Sequence, residues 1–291
     1  MTKKEKMDLA AWAEGVIIKF IDRSPENTLQ APFNEPAFDT PLVGFSSGSD
    51  PLYEHYKTVV GPFHWTPAEV FSMAHPGENA APQELSVITW ILPQTKATKA
   101  DNRRAHKFPA ERWARARIMG EEVNNKLRQH VVSVLKDAGY KAVAPVLMPG
   151  WEMQKSEKYV LASNWSERHA AYAAGLGTFG LCDGMITAKG KAMRVGSVVG
   201  RIQVPPTMRP YVGHREYCLF FSHGTCKKCI PRCPVNAISE SGKDKNLCLA
   251  HLWPHTADYV KSHYGFDGYG CGLCQTAVPC ESGIPAAKNN R

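Results

Sequence analysis

Eight of the nine cysteines fall between Cys218 and Cys280, and only Cys182 lies before them. A short segment this rich in thiols has too little apolar bulk to build a core of its own, so it needs cross-links or metal to hold a shape. The start of the chain decides between these. In "MTKKEKMDLAAWAEGVIIKF" the apolar positions Leu9, Trp12, Val16, Ile17 and Phe20 recur at helical spacing. They predict an amphipathic helix, not a secretory leader. The chain therefore reads as cytoplasmic, where thiols stay reduced and a disulfide framework is not expected. Clustered cysteines in that compartment read as metal ligands.

The spacing narrows the metal. In "CKKCIPRCPVNAI", Cys226, Cys229 and Cys233-Pro234 fit the last three positions of C-x2-C-x2-C-x3-C-P, the iron–sulfur pattern whose final cysteine serves a second cluster. The first position of that pattern falls on His223, while Cys218 stands five residues earlier. Either residue could complete the set. Cys218 is favoured, because histidine ligation is a feature of Rieske-type centres. A second group follows in Cys248 and "CGLCQTAVPC", with Cys271, Cys274 and Cys280. Here proline precedes the last cysteine and the final spacing is longer, so Cys280 rests on the least regular match. Ferredoxin-type pairing expects one [4Fe-4S] cluster on Cys218, Cys226, Cys229 and Cys280, and another on Cys233, Cys248, Cys271 and Cys274. The rival is zinc, since 226/229 and 271/274 are also C-x2-C pairs.

The rest of the chain reads as a larger mixed α/β unit. Residues 24–50 are rich in Pro, Asn, Ser and Gly and predict an irregular segment. "QELSVITWIL" (83–92) predicts a central strand, followed by a polar loop over 93–108. Trp113, Met119, Val123, Leu127, Val131 and Leu135 share one face of a helix expected from Pro109 to Ala138. "KAVAPVL" (141–147) predicts a strand. "SERHAAYAAGLG" predicts a helix capped at Ser166 and stopped at Gly175 or Gly177. Residues 185–204 predict a hairpin turning at Lys189–Lys191. The change of character near Val212 divides the chain into 1–211 and 212–291.

Hydrophobic residues make up 43% of the chain, enough to bury a core, and no apolar run nears the ~18 residues of a membrane helix. The net charge of +8 lacks a basic run interleaved with aromatics, so no nucleic-acid partner is expected. "GLGTFG" (175–180) has dinucleotide-type glycine offsets, but it follows a predicted helix rather than a strand, so that reading fails.

"SERHAAYAAGLGTFGLCDGMIT", then "GSVVG", then the cysteine region, resembles the epoxyqueuosine reductases and their relatives the reductive dehalogenases. Glu167, Arg168, Ala170, Ala174, Gly175, Leu176, Gly177 and Gly180 fall on the group's segment of the type ER-x-W-A-x-x-A-G-L-G-W-x-G. The likeness runs from about residue 140 to the end. It implies a nitroreductase-like domain that binds a base-off cobamide, followed by a small double-cluster ferredoxin-like domain. It also implies a reductase that passes electrons from a ferredoxin or flavodoxin through both clusters to cobalt and a small organic substrate. Cobamide contacts are expected at Arg168, Gly175, Leu176, Gly177, Thr178, Gly180, Cys182, Gly196 and Ser197. The group's proton-donating Asp, seven residues before the Arg, is replaced by Leu161. This departs from the epoxide-reducing pattern. His169, Tyr172 and Tyr159 are the candidate acids near the expected pocket. Two rival functions are a corrinoid carrier or reactivase without turnover, and a flavin-containing electron-transfer protein.

Overall fold

The computed structural model describes residues 8–157 and 159–287, so the lysines of the first seven positions lie outside the described residues. The elements run α1 (Leu9–Arg23), β1 (Leu42–Ser47), α2 (Leu52–Val59), α3 (Pro67–Ala74), β2 (Ser86–Pro93), α4 (Lys96–Arg104), α5 (Glu111–Asp137), β3 (Ala142–Val143), β4 (Met153–Ser156), β5 (Val160–Ser163), α6 (Glu167–Ala173), β6 (Gly177–Phe179), β7 (Met185–Thr187) and β8 (Met193–Gly200). The cysteine region adds α7 (Leu219–His223), β9 (Ile238–Ser239), β10 (Gly242–Lys243), α8 (Lys245–Ala250) and α9 (Thr256–Tyr264).

The main sheet is antiparallel, in the order β1-β2-β8-β3. Every residue of β2 is buried, as its unbroken apolar run predicts for a strand covered on both faces. Alternate side chains of β2 divide between two cores. Ile88, Trp90 and Leu92 join Ile17 of α1 and Val123, Leu127 and Val131 of α5. Val87 joins Tyr53 and Tyr56 of α2, Phe71 of α3 and Ala170 of α6. Helices thus cover both faces of an antiparallel sheet.

Five local expectations need correction. The 24–50 segment contains β1, whose Gly44 lies so close to α6 that a Cβ there would come 2.5 Å from the Ala174 carbonyl oxygen. Its flanking Pro, Asn and Ser residues hide the strand. The polar 93–108 segment forms α4, capped by Thr95, whose Oγ1 accepts from Thr98 N at 3.2 Å. α4 buries polar groups because they bond to the cysteine region: Asn102 Nδ2 donates to Thr276 Oγ1 at 3.2 Å. The 141–147 strand shrinks to β3, because Pro145 starts a 3-10 turn. The 185–204 hairpin does not form: β7 pairs with β6, and β8 pairs with β2 and β3. Finally, Ser166 makes no side-chain cap, because its Oγ bonds to His169 Nδ1 at 2.7 Å.

The cysteine region is strapped onto α4 and α5. Arg232 donates to the carbonyls of Ala105 (2.9 Å), Asn102 (3.1 Å) and Leu273 (3.1 Å). Arg103 pairs with Glu281, and Tyr264 donates to the Pro109 carbonyl at 2.9 Å.

Candidate redox site

The eight clustered cysteines stand around two separate cavities. Cys218, Cys226, Cys229 and Cys280 line the smaller, of about 20 Å³, together with Leu181, Ile186 and Lys191. Cys233, Cys248, Cys271 and Cys274 line the larger, of about 190 Å³, beside Gln94, Trp113, Arg117, Arg194 and Lys243. The division matches the interleaved pairing expected from the motif. Cys218 faces the first cavity, whereas His223 is exposed with its Nδ1 on Ser222 Oγ at 2.7 Å.

Local chemistry sets these positions. Cys218 precedes α7, and Gly224 (φ +65) ends that helix so that the chain turns back toward Cys226 and Cys229. Ala237 N donates to Cys233 Sγ at 3.2 Å, an amide–sulfur bond of the kind that tunes iron–sulfur centres. Asp244 caps α8 by accepting from Leu247 N at 3.0 Å, and so presents Cys248. Gly272 (φ +62) lies against the Trp113 ring, where no side chain would fit, and it carries the turn between Cys271 and Cys274. Burial pushes the Cys271 thiol up to about 11.

Each cavity holds a lysine that the sequence reading did not single out. Burial alone would lower Lys191, but the sulfurs of Cys182, Cys280, Cys274 and Cys229 hold its pKa above the ordinary range. Lys243 is likewise raised against burial by Cys248 and Cys274. Lys191 lies in "TAKGKAMR", where two glycine-flanked lysines read as a turn, so periodicity carried no sign of its burial. Among the described residues no group of three or more His, Cys, Asp or Glu could hold a single metal ion. The donor sets fit iron–sulfur cages.

The residues assigned to cobamide are placed differently. A Cβ on Gly175 (φ +76) would come 2.7 Å from the Met208 carbonyl oxygen, and one on Gly177 would strike the Ile186 carbonyl. On Gly196 it would come 2.5 Å from the Trp90 ring, and on Gly180 3.1 Å from Lys191 Nζ. The close approaches these glycines permit are to the protein's own atoms. Thr178 is buried and its Oγ1 accepts from Tyr217 N at 2.9 Å. Ser197 is buried and donates to the Glu167 carboxylate. Leu176 packs with Ile91 and Met185. Cys182 is buried between the cysteine cavities, and Arg168 donates to the Asp183 carbonyl at 2.5 Å. In this structure these residues bond to and pack against the rest of the protein.

Two of the candidate acids meet. His169 and Tyr172 both pack on Phe179, with ring centroids 5.2 and 6.0 Å away. Tyr159 stands in the turn between β4 and β5. Burial, with His64 and Arg168 nearby, holds His169 well below its ordinary pKa, so the ring is neutral. Burial raises Tyr172. Leu161 lies in β5, and its carbonyl accepts from Lys245. The Glu167 of the "ER" pair anchors a buried ion network. Its carboxylate takes Arg128 Nη2 at 2.9 Å, Arg128 reaches Glu121 at 2.9 Å, and Arg194 closes on Glu121. The sequence reading missed Arg128 and Glu121, since charged residues on an α5 turn read as solvated.

No family model matches the chain. An epoxyqueuosine reductase of Bacillus anthracis is 30% identical over 125 residues, covering 41% of this chain and 30% of the relative. One from Leadbetterella byssophila is 32% identical over 74 residues, covering 23% and 22%. The matches thus span less than a third of the curated relatives' length. The catabolic reductive dehalogenase NpRdhA, solved with 3-bromo-4-hydroxybenzoic acid, superposes at a TM-score of 0.52 and 14% identity, over 96% of this chain and 38% of that one. The chain is similar to epoxyqueuosine reductases and shares the reductive dehalogenase fold. The mixed α/β architecture and the family resemblance expected from "SERHAAYAAGLGTFG" are borne out.

One expectation is overturned. Nucleic acid was excluded as a partner, yet the curated relatives are epoxyqueuosine reductases, and one such enzyme is solved with an epoxyqueuosine-modified tRNA-Tyr stem loop (TM-score 0.49, 18% identity, 84% of this chain and 63% of that one). The absence of a basic, aromatic-rich run was a poor guide, because a folded surface can gather charges that are scattered along the sequence. No helix among the described residues is long and apolar enough to cross a membrane.

Proposed function

We propose that this chain is an iron–sulfur oxidoreductase of the cobamide-dependent group, with two [4Fe-4S] clusters that relay single electrons. Cys218, Cys226, Cys229 and Cys280 hold one cluster; Cys233, Cys248, Cys271 and Cys274 hold the other. The observation that carries this reading is the pair of cavities, each lined by four cysteines in the interleaved set. Cys233 follows Cys229 closely in sequence yet serves the other cavity, which brings the two clusters close together, as electron transfer requires. The likeness to epoxyqueuosine reductases and the shared reductive dehalogenase fold support a cobamide as the group's cofactor. The glycines of "GLGTFG" add no separate support, since a Cβ on each would meet the protein's own atoms.

Tyr172 is the favoured proton donor. His169 is neutral, and its Nδ1 is taken by Ser166. Leu161 carries no proton, so an epoxide reduction dependent on that position is disfavoured, and the substrate is a different reducible organic group. The two-cluster reading carries with it a reducing, cytoplasmic setting and oxygen-sensitive activity.

The test is anaerobic reconstitution with iron, sulfide and hydroxocobalamin, followed by desalting, metal analysis and EPR. About eight irons per chain with a retained base-off Co(II) signal supports the whole reading. Iron without retained cobalamin removes the cobamide and leaves the relay. Zinc in place of iron overturns the redox reading.

A further inference from the structure

Between the two cysteine cavities lies a pair of residues that belongs to neither ligand set. Cys182 is 3% exposed; it packs with Cys229, which lines the first cavity, and its Sγ lies 3.9 Å from the carbonyl oxygen of Cys274, which lines the second. Lys191 Nζ donates to Cys182 Sγ at 3.3 Å, and Lys191 itself lines the first cavity. The same lysine lines that cavity together with Cys280, and its backbone N donates to the Cys280 carbonyl at 2.9 Å. Lys191 is 2% exposed and, among the described residues, no carboxylate forms an ion pair with it.

A buried ammonium is costly unless negative charge stands beside it. Here the compensating atoms are all sulfurs. Gly180 and Gly184 leave the room the lysine needs: a Cβ on Gly180 would come 3.1 Å from Nζ, and one on Gly184 3.3 Å from Cγ and Cδ. The chain therefore keeps two side-chain-free positions along one buried cation aimed at thiols. An ordinary structural lysine would pair with a carboxylate or reach water.

We propose that Lys191, held in place by Cys182, raises the reduction potential of the cluster on Cys218, Cys226, Cys229 and Cys280 relative to its value without that charge. The inference rests on the two-cluster reading above. The step concerned is one-electron, [4Fe-4S]2+ + e⁻ → [4Fe-4S]+, with the electron supplied by an external one-electron donor. No bond is made or broken and no proton moves. The added negative charge appears beside a fixed ammonium in a site shielded from water, where Coulomb attraction is strong, so the reduced state gains more than the oxidised state. Net charge and hydrogen bonding at the sulfurs are recognised determinants of cluster potential. Lys191 is a positioning and tuning residue, not a ligand.

The experiment is an EPR-monitored redox titration of the full, anaerobically reconstituted chain, with dithionite as reductant. Wild type is compared with Lys191→Met, Lys191→Gln and Lys191→Arg, with iron counted in each. In both neutral variants the expected result is a shift of one cluster's midpoint to lower potential, with the other cluster moving less. Lys191→Arg stays near wild type. Unchanged midpoints at full iron content overturn the proposal. So does loss of the first cluster in both neutral variants with no rescue by arginine, which assigns Lys191 a purely structural role. Wild type lacking about eight irons sinks the two-cluster reading itself, and the iron count separates that failure from a failed tuning effect.

Discussion

Replacing Arg128 by Met tests the buried ion network that joins α5, α6 and β8. Arg128 is 1% exposed. Its guanidinium donates to Glu167 Oε1 (2.9 and 3.1 Å), Glu121 Oε1 (2.9 Å), Asn125 Oδ1 (2.6 Å) and the Val195 carbonyl (3.1 Å). Methionine fills most of the volume but leaves Glu167 with only Ser197 as a charge-relieving partner. Removing one member of a buried ion pair costs about 3–5 kcal/mol. A chain of 291 residues unfolds with an entropy of about 0.6 kcal/mol/K, so the midpoint should fall by about 5–8 °C.

The pH dependence adds a second signature. Burial raises Glu167, with Arg128 and Ser197 working against that rise. A carboxyl raised in the folded state contributes stability at low pH that is lost as pH climbs through its folded pKa. Without Arg128 the rise is larger, so the deficit of Arg128→Met should grow as pH climbs above the ordinary carboxylate range and shrink as pH falls back toward it. In the variant Glu121 keeps Arg194 as its ion-pair partner. Against burial, Arg194 and Arg128 hold it at about 2, so its contribution is lost only as pH falls from about 4.5 toward 2. Differential scanning calorimetry across this range is the assay, with Arg128→Met/Glu167→Gln as the partner variant expected to recover part of the loss. A drop under about 2 °C, or a deficit independent of pH, would refute the argument, since an uncompensated buried carboxylate must respond to protonation.

Three further outcomes follow from the same geometry. Cys233→Ser should cut the iron content from about eight to about four and leave the same EPR signal on reduction as Cys271→Ser, while Cys226→Ser should leave the other; a Cys233→Ser signal that matched Cys226→Ser instead would defeat the interleaving. Gly196→Ala should destabilise by about 1–3 kcal/mol through overpacking, since its Cβ would come 2.5 Å from the Trp90 ring; an unchanged thermal midpoint would contradict this packing. Burial lowers His64 to about 4, so the neutral folded ring should cost stability as pH falls from about 6.5 toward 4, where the unfolded chain gains the proton. His64→Gln should flatten that slope, and NMR of the ring should place its titration near 4.

The cysteine spacing was the most legible part of the site. Short-range motifs report ligands that neighbouring backbone turns must present together, so "CKKCIPRC" and "CGLCQTAVPC" point to six of the eight expected ligands, and ferredoxin-type pairing adds Cys218 and Cys248. The long helix α5 and the buried strand β2 were equally legible, since apolar periodicity records which face is covered. Other elements depended on contacts remote in sequence. α4 buries polar groups because Asn102 meets Thr276, and no local pattern announces that partner. β8 looked like half of a hairpin, but its partners β2 and β3 come from far upstream. Glycine carried the least information about function. "GLGTFG" and "GSVVG" have spacings equally suited to a cofactor or to close packing, and only the positions of Met208, Ile186 and Trp90 tell the two apart. The sequence by itself determined the inventory of thiols and the secondary structure that local periodicity controls. The tertiary structure alone decided which buried charges stand beside those thiols, because a lysine acquires its electrostatic role from the atoms folded around it.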